Sequence, residues 1–70
     1  MTGSEFLRRV RKLGKRNGVS VVFDPQHGDG SHGRLYYGTA FTTLKDRKKE
    51  LGVGLLRGMC ASLGIDPKDL

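Results

Sequence analysis

The sequence predicts one α+β domain whose elements run in the order α-β-β-β-α. Apolar residues recur at helical spacing near each end of the chain, and runs rich in β-branched and aromatic residues lie between them. Short polar or glycine-containing connections separate those runs, which favours a three-stranded antiparallel sheet with both helices on one face. At 70 residues the chain has room for a single domain over 1–70.

The first helix is predicted over about residues 3–13. Thr2 and Glu5 fit a capping box, in which the Thr2 hydroxyl accepts the Glu5 N–H and the Glu5 carboxylate accepts the Thr2 N–H. Gly14 is expected to end the helix in a left-handed conformation. The apolar stripe of this helix consists of Phe6, Leu7, Val10 and Leu13.

Three strands follow. The first is expected to end at Asp24-Pro25, because proline cannot donate to a central ladder. The polar segment 26–30 is typical of a hairpin connection, and Gly38 is expected to form the second turn. The predicted strands cover 19–23, 34–37 and 39–44.

A second helix is predicted after the charged stretch 45–50, where apolar residues again follow a helical period. Gly64 is a plausible C-cap, with Ile65 folding back as its hydrophobic contact. Asp66 is expected to cap one further helical turn at the C-terminal end. The stripe of the second helix consists of Val53, Leu56, Met59, Cys60 and Leu63.

The charge balance points to an anionic partner. Thirteen Lys and Arg against seven Asp and Glu give a net charge of +6, which favours nucleic acid, an acidic protein surface or membrane headgroups. Cys60 is the single cysteine, so an internal disulfide and a cysteine-rich zinc site are excluded. Because no membrane span and no signal peptide are evident, we expect a cytoplasmic protein that does not enter the membrane.

Two histidines, His27 and His32, lie in or beside the connection between the first two strands. A histidine can accept and donate protons near neutral pH, and the glycines around these two would let a nucleic-acid backbone approach closely. The simpler interpretation is a solvated histidine in a polar turn. No third ligand stands at a metal-binding spacing, so the sequence predicts neither a metal nor another cofactor.

Basic residues form two clusters. The first, between Arg8 and Arg16, lies on the first helix and at its exit. A solvated helix face is the favoured interpretation for it. The second precedes the second helix, whose N-terminal dipole would add to its positive charge. The second cluster is therefore the better candidate for RNA; it consists of Lys45, Arg47, Lys48 and Lys49.

Tyr36 and Tyr37 are adjacent in the second strand and must point to opposite faces of the sheet, so at most one of them belongs to the core. The exposed tyrosine could stack on a base or pack in a protein interface. Ordinary packing across the strands is an equal alternative.

Five segments taken together resemble the HicA family, the toxin half of HicA–HicB toxin–antitoxin systems. The resemblance spans nearly the whole chain, and its most informative part is a Gly-Ser-His tripeptide between strands. Asp29 stands where the family commonly has a basic residue, and Gly33 where it has a histidine or a bulky residue. The matching segments are 2–7, 12–14, 30–32, 51–57 and 63–65.

This resemblance implies an endoribonuclease that cleaves mRNA and has a fold similar to a double-stranded-RNA-binding domain. It implies that His32 is the catalytic histidine. It also implies that a HicB-type antitoxin binds the toxin and buries this histidine. The residues expected to contact RNA are Gly30, Ser31, Arg34, Lys45, Lys48 and Lys49.

The hypothesis for the chemistry is that His32 removes the proton of a 2′-hydroxyl, whose oxygen then attacks the adjacent phosphorus. Arg34 or a lysine of the second basic cluster would stabilise the charge on the phosphate. The general acid is left open between His27 and a lysine. Two alternatives remain: an RNA-binding module of the same fold that does not cleave, and an adaptor whose basic face binds an acidic protein.

Overall fold

In the computed structural model, which describes residues 1–25 and 32–70, two helices cover one face of a three-stranded antiparallel sheet. The sheet order β1-β2-β3 is a meander, so the predicted order α-β-β-β-α and the α+β class are confirmed. The elements are α1 (Gly3–Asn17), β1 (Val21–Asp24), β2 (Gly33–Tyr37), β3 (Ala40–Leu44), α2 (Val53–Leu63) and a 3-10 turn (Pro67–Asp69).

Helix α1 is longer than predicted. It continues to Asn17 and ends at Gly18, which has a φ of 68° and takes the left-handed cap that was expected of Gly14. Gly14 serves packing instead: a Cβ there would lie 2.3 Å from Cγ2 of Val21 and 2.8 Å from the carbonyl oxygen of Val19. Only a glycine lets the helix approach β1 this closely, so the predicted stop was wrong and the glycine has another role.

The N-terminus of α1 keeps one half of the predicted capping box. The N–H of Glu5 donates to the Thr2 hydroxyl at 3.2 Å. The Glu5 carboxylate accepts instead from Arg8 at 2.6 Å and from Arg9 at 3.0 Å. These hydrogen bonds, the one from Arg8 first, lower the pKa of Glu5 below its usual value.

The strands agree with the predicted ones except at their ends. Strand β1 begins at Val21 rather than at residue 19, because the N–H of Val19 donates to the Gly14 carbonyl at 2.8 Å as part of the exit from α1. Strand β2 gains Gly33 at its start. Gly38, with a φ of 63°, forms the predicted turn before β3.

Helix α2 contains the predicted run of apolar residues and has the predicted C-cap. Gly64 has a φ of 72°, and its N–H donates to the Ala61 carbonyl at 3.1 Å. The N–H of Ile65 donates to the Cys60 carbonyl at 3.0 Å. The Asp66 carboxylate accepts from the backbone N–H of Lys68 at 2.9 Å and caps the 3-10 turn, as expected.

One core joins the sheet to both helices. Val53, which was predicted to belong to the α2 stripe, is 67% exposed, because the first turn of α2 lies off the sheet. Tyr37 is the tyrosine that packs against the core, and its hydroxyl accepts from Asn17 at 3.1 Å. The core consists of Phe6, Leu7, Val10, Leu35, Leu44, Met59, Cys60 and Leu63.

The other face of the sheet carries no helix, and we call it the open face. Val22 and Phe41 on this face are 52% and 47% exposed, although both are large and apolar. The side chains that alternate onto it from the three strands are Val22, Asp24, Arg34, Tyr36, Phe41 and Thr43.

Among the described residues, no helix is both long and apolar enough to cross a membrane.

We predict that the same substitution has opposite effects in the two helices. Gly58→Ala in α2 should raise the free energy of unfolding by about 0.5–1 kcal/mol, since a Cβ there meets nothing within 4 Å and alanine is the better helix former. Gly14→Ala in α1 should lower it by roughly 1–3 kcal/mol, since the new methyl group must displace Val21 and the Val19 carbonyl. Urea denaturation followed by circular dichroism measures both, and equal effects would contradict the packing role of Gly14.

Candidate nucleic-acid interface and cleavage site

The candidate site lies at one end of the sheet. Because the strands are antiparallel, β1 ends, β2 begins and β3 ends there: Asp24 pairs with Arg34, and Gly33 pairs with Leu44. His32 directly precedes β2 at this end. It is half-buried and is not among the buried polar residues.

The backbone next to His32 is fixed by an aromatic ring. A Cβ on Gly33 would lie 2.3 Å from Cζ of Phe23 and 3.1 Å from the carbonyl oxygen of Asp24. The guanidinium of Arg47 in turn lies 5.0 Å from the centre of the Phe23 ring, at cation–π distance. The glycine that departs from the HicA pattern is therefore required here by the phenylalanine that packs on it.

Arg34 lies on the open face, two residues after His32. Its guanidinium carbon is 4.6 Å from the centre of the Phe41 ring, and it stands opposite Asp24 in the register. If the alternation of β2 is continued by one residue, His32 falls on the same side of the sheet as Arg34. The two residues therefore share one side of the sheet, and their joint action on a phosphate stays a prediction.

Lys45 is also near His32. It follows Leu44 directly, and Leu44 pairs with Gly33, so Lys45 and His32 leave the β2–β3 pair at the same end. Lys45 is exposed. A lysine and a histidine that leave a sheet at the same end are suited to a phosphate-containing ligand, because a lysine can bind a phosphate and a histidine can act as a general base.

Lys48 and Lys49 lie on the segment 45–52, which is tied to the start of α1. The N–H of Gly3 donates to the Lys49 carbonyl at 3.2 Å. The N–H and the hydroxyl of Ser4 both donate to the Arg47 carbonyl, at 2.9 and 3.1 Å. Both lysines are exposed. They add charge at the same end of the molecule, but through the segment beside α1 rather than through the sheet.

Sequence reasoning missed a basic groove between α1 and this segment. The first cluster was interpreted as a solvated helix face, and its members in the groove are exposed. The sequence did not show that Arg47 of the second cluster lines the same open groove, which has a volume of about 480 Å³. The spacing of 8, 11, 12 and 15 on one face of a helix was the available signal. The groove is lined by Ser4, Leu7, Arg8, Arg11, Lys12, Lys15 and Arg47.

Three of the predicted residues, His27, Gly30 and Ser31, lie outside the described residues. Within 1–25 and 32–70, the three ion pairs join Met1 to Glu50 and Glu5 to two arginines, so none of them involves His32. The same part of the chain holds no group of three His, Cys, Asp or Glu side chains placed to bind a metal ion.

Cys60 belongs to the core, as predicted, and is fully buried. Burial raises the pKa of its thiol, and the charge of Asp66 acts in the same direction. A buried thiol with a raised pKa is a poor nucleophile, so Cys60 is not a candidate for catalysis.

In comparisons with protein-family models, curated proteins and solved structures, none matches this chain. The resemblance to HicA and the likeness to a double-stranded-RNA-binding domain therefore remain predictions. The candidate site depends on the geometry of the described residues alone.

We predict that Gly33→Ala destabilises the protein by roughly 1–3 kcal/mol, because the new methyl group overlaps the Phe23 ring. The control is Gly54→Ala in α2, where a Cβ meets nothing within 4 Å. Thermal unfolding of both variants measures the difference. If Gly33→Ala unfolds like the Gly54→Ala control, the Phe23 ring does not fix the backbone beside His32.

Proposed function

We propose that the protein is a metal-independent endoribonuclease that cleaves mRNA and acts as the toxin of a type II toxin–antitoxin system. The observation that supports it best is the placement of His32: half-buried, outside the core, and at the sheet end that also carries Arg34 and Lys45. The resemblance to HicA supports the assignment of this histidine to catalysis.

In the proposed reaction, His32 takes the proton of a 2′-hydroxyl, and the freed oxygen attacks the adjacent phosphorus. The bond from phosphorus to the 5′-oxygen breaks, which leaves a 2′,3′-cyclic phosphate on one fragment and a 5′-hydroxyl on the other. Arg34 and Lys45 stabilise the charge that builds on the phosphate oxygens. Either His27 or a lysine donates the proton to the leaving oxygen.

The positive charge of the protein is proposed to attract RNA to this site. The groove beside α1 and the lysines of segment 45–52 extend the positive surface away from His32, and a net charge of +6 draws in a polyanion. Lys48 and Lys49 are proposed to contact phosphates rather than bases, so they would add affinity without selecting a sequence. The same accessible histidine gives a HicB-type antitoxin a group to cover. We place the protein in the cytoplasm, where its mRNA substrate is found.

A second candidate function is an RNA-binding module that does not cleave. The basic groove favours it, because the described residues that line the groove include no histidine and no carboxylate. In that case His32 would be a surface residue of the RNA-binding end and nothing more.

We predict that the protein cleaves single-stranded RNA in EDTA and that His32→Ala lowers the rate by about 10²–10⁴-fold, the usual contribution of a positioned base. The binding of a cleavage-resistant 2′-O-methyl RNA by this variant should stay close to that of the parent. An all-deoxy oligonucleotide should not be cut, because it has no 2′-hydroxyl. Equal cleavage by parent and variant would overturn the role of His32, and binding without cleavage by either would favour the module.

Expression in growing cells gives a second prediction. The parent should arrest growth, His32→Ala should not, and co-expression of a HicB-type antitoxin should restore growth. Colony counts and culture density after induction measure this. If both forms arrest growth to the same degree, cleavage by His32 is not the cause of toxicity.

A further inference from the structure

The open face has two rows of side chains that run across the three strands. Val22, Tyr36 and Phe41 are Cα partners in register and form what we call the apolar row. Asp24, Arg34 and Thr43 are partners in the same way and form the polar row, which lies between the apolar row and the sheet end that holds His32. Along the strands, the open face is therefore first apolar and then polar, and the candidate site follows at the end of the sheet.

The aromatic side chains of the apolar row are accessible and grouped. Phe41 is 47% exposed, and the Tyr36 and Phe41 ring centres are 5.9 Å apart with the planes tilted by 46°. The guanidinium of Arg34 covers part of Phe41 at 4.6 Å. Aromatic rings with an arginine beside them, on a sheet face without a helix, form the arrangement that stacks unpaired bases in RNA-binding sheets.

We infer that the open face binds single-stranded RNA, with unpaired bases stacked on Phe41 and Tyr36; this rests on the function proposed above and gives its substrate class. Tyr36 lies four residues from His32 in β2, about 13 Å at roughly 3.3 Å per residue. A short stretch of single strand bridges this distance. A base held on the apolar row thus anchors the strand while its backbone crosses Arg34 and reaches His32.

Two observations favour RNA over a protein partner on this face. The apolar part is a single row of three side chains, whereas a stable protein interface buries about 800 Å² on each partner. The polar row and the sheet end add the cations Arg34 and Lys45, with Asp24 as the acidic residue of the two rows. Duplex RNA does not fit the inference, because its bases are already stacked and paired.

The test uses a single-stranded 2′-O-methyl RNA that contains 2-aminopurine, so that binding is measured without cleavage. The chain has no tryptophan, and the fluorescence of the base analogue therefore reports stacking directly. Phe41→Leu keeps an apolar side chain but removes the ring. The control Val53→Ala changes another exposed apolar residue, which lies on α2 and outside the open face.

We predict that the parent quenches the 2-aminopurine and that Phe41→Leu binds about 5- to 150-fold more weakly, the range given by roughly 1–3 kcal/mol per stacked base. Val53→Ala should bind like the parent. The slope of log affinity against log salt concentration should be unchanged in Phe41→Leu. In Arg34→Gln the magnitude of this slope should fall by about 0.7, because one phosphate contact is lost. A duplex containing the same strand should not distinguish Phe41→Leu from the parent.

The outcomes separate the inference from the function on which it rests. If Phe41→Leu binds the single strand like the parent while His32-dependent cleavage persists, the stacking site is wrong and the nuclease stands. If the parent does not cleave unmodified RNA but Phe41→Leu loses binding, the nuclease is wrong and the open face still stacks bases. If Phe41→Leu keeps RNA binding but no longer binds a HicB-type antitoxin, the open face is a protein interface and the inference is overturned.

Discussion

The structure depends on one constraint: the chain has enough apolar side chains to cover a single face of its sheet. A domain of this size buries only about 60% of the surface of its unfolded chain, and here both helices converge on Leu35 and Leu44 of the same face. Alternation along β2 then forces Arg34 and Tyr36 to the other side. The open face is therefore a direct result of the way the core is built, whatever binds to it.

The Phe23 ring connects that core to the candidate site. It packs partly against the core, lies over Gly33, and carries the Arg47 guanidinium at 5.0 Å from its centre. One side chain thus helps to fix the strand start beside His32 and the segment that carries Lys48 and Lys49. Stability and the position of the proposed catalytic histidine are coupled at this point of the fold.

Periodicity alone predicted most of the fold, because each element contains enough apolar residues to reveal its period. The errors arose where a residue's role depends on a distant neighbour. Gly14 has the chemistry of a helix stop, and only the approach of Val21 shows that it serves close packing. Val53 keeps the helical period of α2, but the position of the sheet leaves it exposed.

The candidate site was predictable only in part. Local sequence placed His32 near Arg34 because they are two residues apart on the way into one strand. The basic groove could not be found in this way, since it forms only when Arg47 comes to face α1 across about forty positions of sequence. The apolar row likewise needs the register of three strands, because Val22 joins it through the β1–β2 pairing and Phe41 through the β2–β3 pairing.

The buried position of Cys60 has a practical consequence. It is the sole cysteine of the chain, it is fully enclosed between α2 and the sheet, and its environment disfavours the thiolate. A thiol-specific dye can therefore react only when the core around Cys60 opens, so its rate of incorporation follows the opening of the native state. The protein carries a built-in reporter of its own transient unfolding, and no engineered label is needed to follow it.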